Sequence, residues 1–305
     1  MTTPPFFSVI TPTYNRFKFL HEMTSSVRAQ TFGDFEHIIV DDGSTDGTED
    51  LISQISDSRI RYIKQENQGR SAARNTGIKA ARGRYVCFLD SDDVWTPEHL
   101  GSLKTLIDAH PEPAYFLTGL IWFFDDGRPE EQVVYRPRHL YETDCEYVIT
   151  NQFAPNCVCL HASVAKRHLF NEKLYVNEDL ELWARITAEF PVFETHQATA
   201  KLRVHDGNTS HLISDSLTPR KQVLNMVLGN PGIAPHLSKT FIKDRKRGFD
   251  EVALREYQAS GKRWKFIWSS LKFIFKYPNN PTNRAKLVDL LYNLPGGRWL
   301  KRQVG

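Results

Sequence analysis

Apolar residues gather in short, nearly continuous runs along the first part of the chain, and stretches of helical spacing separate them. Residues 8–14 form such a run, broken by Pro12, which predicts a buried strand with a loop at its end. Residues 17–30 then place Phe17, Leu20, Met23 and Val27 on one face of a helix. A second buried strand is expected at 35–40, followed by a turn at 41–47 and a helix opened by Thr48. A shorter strand at 60–63, a helix at 68–81 ended by Gly83, and a strand at 85–89 continue the alternation. Pro97 sits near the start of a further helix, where its missing N–H costs nothing. Strands with so little polar alternation are buried on both faces, so this order predicts a parallel sheet covered by helices.

The pattern changes after Pro111. A strand is expected at 114–124, then a turn at Asp125-Asp126-Gly127 and a partner strand at 132–135. Residues 158–160 and 193–204 are further strand candidates, and 179–190 form a helix with Leu182, Ile186 and Phe190 on a shared face. This half is expected to extend the first sheet as a mixed sheet. No internal repeat is visible. Beyond Leu212 the chain reads as helical and loosely organised, with helices over 262–277, ended by Pro278, and over 283–294.

Composition adds little to the fold but constrains the setting. The 305 residues are 40% hydrophobic and 25% charged, ordinary for a globular protein. The cysteines, Cys87, Cys145, Cys157 and Cys159, lack zinc-site spacing and read as reduced thiols of a cytosolic protein. No signal peptide is read at the N-terminus. The longest apolar run, 114–124, is about half of what a membrane span needs. The net charge of +3 hides an asymmetry: residues 240–305 carry 15 Lys/Arg and 5 Asp/Glu, so the body before them is mildly acidic. A basic tail points to an anionic surface as partner, with membrane lipid as one candidate.

In open parallel sheets ligands bind beyond the carboxyl ends of the strands. Three polar clusters fall there, at 11–15, 41–46 and 90–93, and are expected to converge on one crevice. Asp90 and Asp92, one residue apart, are hard oxygen ligands suited to Mg²⁺ or Mn²⁺; beside the other clusters this reading is preferred to a solvated acidic turn. Asp41 and Asp42 can accept from a base N–H or a ribose hydroxyl, or serve a simple turn. Thr11, Tyr14 and Asn15 can hold a base by stacking and hydrogen bonding, and Asn15 equally suits a helix cap. Arg70 and Arg74 lie near a helix start and suit phosphate oxygens, or a surface salt bridge. Glu178-Asp179 opens a helix, where a carboxylate either takes a proton from an acceptor hydroxyl or caps the helix. His205 can complete a metal shell or simply be solvated.

Five of these stretches resemble, in order, the motifs of family 2 glycosyltransferases. They are Ser8-Val-Ile-Thr-Pro-Thr-Tyr-Asn-Arg16, Ile39-Val-Asp-Asp-Gly-Ser-Thr-Asp46, Asn67-Gln-Gly-Arg-Ser-Ala-Ala-Arg-Asn-Thr-Gly77, Phe88-Leu-Asp-Ser-Asp-Asp93 and Asn177-Glu-Asp-Leu-Glu-Leu-Trp183. The resemblance spans roughly residues 6–210 and implies an α/β GT-A fold: a Rossmann-like nucleotide-binding mixed sheet flanked by helices, with a helical C-terminal extension. It implies a catalytic domain at 1–212, divided into a nucleotide-sugar half (6–110) and an acceptor half (111–212), followed by a basic extension at 213–305. It also implies inverting transfer of a hexose-type sugar from a nucleoside-diphosphate sugar, most commonly a UDP-sugar, to a hydroxyl of a saccharide or lipid-linked saccharide. By resemblance, Thr11, Pro12, Tyr14, Asn15, Asp41, Asp42, Gly69, Arg74, Asp90 and Ser91 contact the nucleotide sugar. Asp92, with Asp90 and His205, holds Mn²⁺ or Mg²⁺. Asp179 is the general base, and Glu178 beside it positions the acceptor.

A non-catalytic nucleotide- or saccharide-binding homologue is the alternative, although such a protein would usually lose Asp92 or Asp179. No Gly-X-Gly-X-X-Gly follows the first strand, which argues against a nicotinamide-dependent dehydrogenase. The acidic body and the lack of a recognised module argue against nucleic acid as partner. The segment 262–277 mixes cations with Trp and Phe. It suits either a bilayer interface on the cytoplasmic face of a membrane or a helix docked on the body.

Overall fold

The computed structural model describes residues 3–205 and 217–283, together with 286 and 289. The helix expected at 283–294 falls largely outside the described residues. The elements run β1 (Phe7–Thr13), α1 (Phe17–Arg28), β2 (Phe35–Asp41), α2 (Thr48–Ser53), β3 (Ile60–Lys64), α3 (Arg70–Ala80), β4 (Tyr85–Phe88), β5 (Val94–Trp95), α4 (His99–Ala109) and β6 (Tyr115–Phe124). They continue with β7 (Glu131–Gln132), α5 (Asp144–Asn151), β8 (Val158–His161), α6 (Ala162–Arg167), α7 (Glu178–Thr187), β9 (Val192–Val204), α8 (Leu217–Gly229), α9 (Lys239–Ala259) and α10 (Arg263–Lys276).

The strands form one nine-stranded sheet in the order β3-β2-β1-β4-β8-β6-β9-β5, with β7 paired to β6. β3, β2, β1 and β4 are parallel, as the nearly continuous apolar runs predict. β8 then pairs antiparallel with β4 and with β6, so the second half extends the same sheet in mixed orientation. Val9, Ile10, Ile38, Val40, Val86 and Phe88 are fully buried, the condition that lets a parallel strand dispense with polar alternation. Each such side chain contributes roughly 1.5–3 kcal/mol of transfer free energy.

Sequence and structure differ at several points. Phe17, expected in the core face of α1, is exposed, and Phe19 is buried in its place beside Leu20, Met23 and Val27. The two-residue β5 has no counterpart among the expected strands; it pairs antiparallel with β9 and so ties the turn after β4 to the far edge of the sheet. The partner strand expected at 132–135 is only Glu131–Gln132. α5 and α6 lie in stretches without a clear helical pattern.

α3 packs unusually close to β1. A Cβ at Gly77 would stand 2.4 Å from Ile10 Cγ2, so only glycine permits this approach. Ala73 and Ile78 are fully buried on the same helix. The close packing brings the α3 N-terminus, with Arg70 and Arg74, to the carboxyl end of the sheet.

The chain divides into two compact units at Leu237/Ser238. The first therefore runs past the boundary expected at residue 212 and includes α8, which buries Leu217, Val223, Leu224, Val227 and Leu228. The second unit has a small core of Leu254, Phe266, Phe273 and Tyr277. Within it the Ser238 hydroxyl accepts from Phe241 N to cap α9, and Lys276 pairs with Asp250 at 2.8 Å. α10 ends just before Pro278, as predicted. No helix among the described residues is long and apolar enough to cross a membrane.

Candidate active site

Parallel strands deliver their following loops to one edge, and there the first unit opens a cleft of about 630 Å³. Its walls come from the loops after β1, β2 and β4, the start of α3, the start of α7, and α8. Of the residues expected at the site, Pro12, Tyr14, Asp42, Gly69, Arg74, Asp90, Ser91, Asp92, Glu178 and Asp179 all line this cleft. Asp92 and Asp179, 87 positions apart in the sequence, share one cavity.

Four expected residues, Thr11, Asn15, Asp41 and His205, are not among those that line it. Thr11 is fully buried, and its hydroxyl lies 3.0 Å from His37 Nε2. Burial pushes the His37 imidazole down to about 3, so the pair is a neutral core hydrogen bond. Asp41 is also fully buried; it accepts from Ser44 N at 2.8 Å and from the Tyr62 hydroxyl at 2.5 Å. Asn15 neither lines the cleft nor caps α1. It adopts a positive φ of 50°, its N–H donates to Ser44 Oγ, and its Oδ1 accepts from Thr45 N. In the first three cases the polar atoms are engaged inside the fold: Thr11 with His37 of β2, Asp41 with its own loop and Tyr62 of β3, and Asn15 with the loop after β2.

Asp42 does line the cleft, yet it is also a brace. Its oxygens accept from Gln65 Nε2 at 2.7 Å, Gln68 N at 3.0 Å and Gly69 N at 2.7 Å. Gly69 itself has a φ of +89° and open space where a Cβ would stand, so the backbone entering α3 is bare toward the cleft.

An ion-pair network forms the floor. Arg74, 1% exposed, donates to Asp90 Oδ1 at 2.6 Å and to Glu178 Oε1 at 3.0 Å. Burial opposes its charge, but the carboxylates of Asp90 and Glu178 outweigh that and hold the guanidinium protonated. Arg70 reaches the same Glu178 at 2.7 Å and also donates to Tyr175 O. Arg74 is therefore a strut between α3, the turn after β4 and α7, and two arginines fix Glu178. Its neighbour Asp179 is only partly buried and accepts one short-range bond, from Leu180 N at 2.8 Å. Burial first, and the negative Glu178 second, push the Asp179 carboxyl up to about 6.

Asp92 lies across from an imidazole and a guanidinium: His205 Nε2 is 3.2 Å from its Oδ2, and Arg16 is 3.7 Å away. Asp90, expected to share a metal with it, is taken by Arg74 instead. Among the described residues no group of three or more His, Cys, Asp or Glu side chains is arranged to hold a metal ion.

Sequence reasoning missed Asp93, Arg203, Arg16 and Arg220. Asp93 is buried, accepts from Arg203 N and Asn156 Nδ2, and is pushed well above the usual carboxylate range by burial and by Asp92 and Asp90. Arg203 donates to Asp92 O at 2.9 Å and pairs with Glu22 and Asp125. Asp93 and Arg16 stand inside the quoted motifs and Arg203 two residues from His205, so their placement is the available signal. Arg220 carries none.

Comparison with known proteins adds the family. The profile of Glycosyl transferase family 2 matches residues 8–168. The chain is 47% identical over 283 residues to the glycosyltransferase GlyA of Streptococcus pneumoniae, covering 83% of this chain and 38% of that one. It is 39% identical over 144 residues to TuaG of Bacillus subtilis, a glycosyltransferase provisionally assigned to teichuronic acid biosynthesis, covering 46% and 56% of the two. The match thus spans little more than half of TuaG and under half of GlyA. Among solved structures, S. aureus TarS residues 1–349 in complex with UDP superposes with a TM-score of 0.62 at 21% identity, over 98% of this chain and 92% of that one. The mannosyltransferase PcManGT of Pyrobaculum calidifontis, in complex with GDP-Man and Mn²⁺, superposes at 0.58 and 18% identity, over 99% and 84%. The fold is thus of the GT-A type expected from the motifs.

Proposed function

The chain belongs to glycosyl transferase family 2, and from that premise we propose that it is an inverting glycosyltransferase acting on a nucleoside-diphosphate sugar, specifically a UDP-sugar. The acceptor is a hydroxyl of a saccharide or lipid-linked saccharide destined for a cell-surface polysaccharide. The observation that carries this reading is the shared cleft. Asp92, 3.2 Å from His205 and 3.7 Å from Arg16, and Asp179, beside the Glu178 carboxylate that helps raise it, face the same cavity.

That difference assigns roles. A carboxyl raised to about 6 is a competent base near neutral pH, still ionised yet basic enough to take a proton. Asp179 accepts the proton of the acceptor hydroxyl as that oxygen bonds to C1 of the sugar. The bond from C1 to the diphosphate oxygen breaks, and the diphosphate leaves with the electron pair. Glu178, fixed by Arg70 and Arg74, keeps Asp179 basic and positions the acceptor. Tyr14, half-exposed at the cleft, offers a face on which a base can stack. The bare backbone at Gly69 lets the donor approach.

Asp92 and His205 would hold a divalent cation: they offer a carboxylate oxygen and an imidazole nitrogen whose donor atoms are 3.2 Å apart. Mg²⁺ and Mn²⁺ need few protein ligands where substrate phosphates and water complete the shell. Bound there, the ion would supply charge neutralisation for the departing diphosphate.

The decisive experiment is release of nucleotide from UDP-, GDP- and dTDP-sugars with Mn²⁺ present. UDP release from a UDP-sugar is expected, with loss on chelation by EDTA. No release from any donor would overturn the reading.

We also propose a peripheral position on the cytoplasmic face of a membrane, carried by α10. Trp264, Trp268 and Phe275 are 60%, 63% and 83% exposed and share one helical stripe, flanked by Lys265, Lys272 and Lys276. An aromatic stripe with a basic border fits an anionic bilayer interface. The buried free thiols suit a reducing compartment. The full chain is expected to co-sediment with phosphatidylglycerol vesicles and the triple variant W264A/W268A/F275A to stay in solution. Equal recovery would remove the idea.

A further inference from the structure

Arg220 sits where a leucine would be expected. α8 buries Leu217, Val223, Leu224, Val227 and Leu228, and Arg220 falls within that stripe, three residues after Leu217 and four before Leu224. Its side chain lines the cleft. Arg220 is half-buried and open to the cleft, where an arginine among so many carboxylates would be expected to pair with one.

The other cleft arginines obey that rule. Arg16 lies 3.7 Å from Asp92, Arg70 2.7 Å from Glu178, and Arg74 2.6 Å from Asp90. Arg220 makes no hydrogen bond or ion pair with any described residue. The cleft's carboxylates, Asp42, Asp90, Asp92, Asp93, Glu178 and Asp179, form an acidic set that would repel an anionic ligand. Three of the cleft's four arginines are already committed to that set. Beside a divalent cation at Asp92, a phosphate entering the cleft would find in Arg220 an arginine not committed to a carboxylate among the described residues, and a guanidinium fork matches phosphate oxygens.

We propose that Arg220 binds a phosphate group that a ligand carries into the cleft. The source is either the donor diphosphate or a phosphate ester on the acceptor. The proposal rests on the reading of the cleft as a nucleotide-sugar site, and it adds a residue from outside the family-matched residues 8–168.

The test uses the full chain and R220Q, titrated calorimetrically with UDP, with uridine, and with glycerol 1-phosphate while UDP is saturating. If the phosphate belongs to the donor, R220Q weakens UDP binding by at least about tenfold and leaves uridine unchanged. If it belongs to the acceptor, UDP binding is unchanged and glycerol 1-phosphate binding to the UDP-loaded chain is lost. Affinities for UDP and for glycerol 1-phosphate that both stay within about twofold of wild type overturn the proposal. Should R220Q not fold, R220K keeps the charge without the fork, and a several-fold weakening is expected of it on the same ligands. A wild-type chain that binds neither UDP nor GDP fails the donor reading itself. Inorganic phosphate, titrated into wild type and variant, then decides Arg220 alone, with equal binding counting against it.

Discussion

Two acidic turns follow parallel strands of the same sheet, Asp41-Asp42 after β2 and Asp90 to Asp93 after β4, and the chain uses them in opposite ways. The oxygens of Asp41 and Asp42 are occupied by neutral donors of their own surroundings: Ser44 N, the Tyr62 hydroxyl, Gln65 Nε2 and Gly69 N. The oxygens of Asp90 and Asp92 instead face cationic or imidazole groups at the cleft, Arg74 in one case and His205 with Arg16 in the other. A carboxylate saturated by backbone and hydroxyl donors is a brace whose removal costs stability. A carboxylate whose partner itself lines the cleft, as Arg16 does beside Asp92, can give that place to a ligand's cation. Acidity at a strand end is therefore not chemistry in itself; the partners decide.

Asp179 also faces the cleft, though beside the Glu178 carboxylate, and its substitution should separate cleft from brace most sharply. D179N is expected to lower sugar transfer by at least about 1,000-fold while UDP affinity stays within about twofold. Steady-state kinetics and calorimetry check this, and full activity would remove Asp179 as base. In the wild-type chain, log(kcat/KM) should rise with pH and level off above an apparent pKa of about 6, because the base must lose its proton first. A flat profile between pH 5 and 8 would contradict the assignment.

The brace should behave in reverse. D41A strands the half-buried Tyr62 hydroxyl and Ser44 N–H and should cost about 2–3 kcal/mol in urea unfolding. Transfer per folded molecule should change by no more than a few-fold. A large loss of activity with unchanged stability would erase the distinction between the two turns.

A smaller effect sharpens it from the other side. The folded chain keeps the Asp179 proton to about pH 6, whereas the unfolded chain releases it near the ordinary carboxylate value of about 4. Between these values the folded state binds more protons, so stability falls as pH rises through that window. D179N should accordingly be about 1–2 kcal/mol more stable than wild type at pH 7.5, with the advantage gone below pH 4. Thermal unfolding of both chains at the two pH values measures it. The smallest expected effect is at Tyr14, where Y14A should weaken UDP binding by roughly tenfold or less without altering stability. Unchanged affinity would take Tyr14 out of the base contact.

Much of the fold and part of the site are legible in the residue pattern. Continuous apolar runs mark the parallel core of β1 to β4, because strands buried on both faces have no polar side to show. Their order also places Asp42, Asp90, Asp92 and Tyr14 at one edge. Thr11 and Asp41 mark the limit of that reading: pattern gives a residue's position along a strand but not the partner its polar atom meets. His37 and Tyr62, which claim those atoms, carry no mark in the sequence.

The sequence by itself determined the sheet, the family and the loops that border the cleft, since hydrophobic period and motif order are local properties. Only the tertiary structure decided which carboxylates are engaged inside the fold and which line the cleft. It alone made Arg74 a buried strut and brought Arg220 from α8 into the same cavity. Electrostatic state depends on neighbours distant in the chain and on water removed by packing, and neither is written along the sequence.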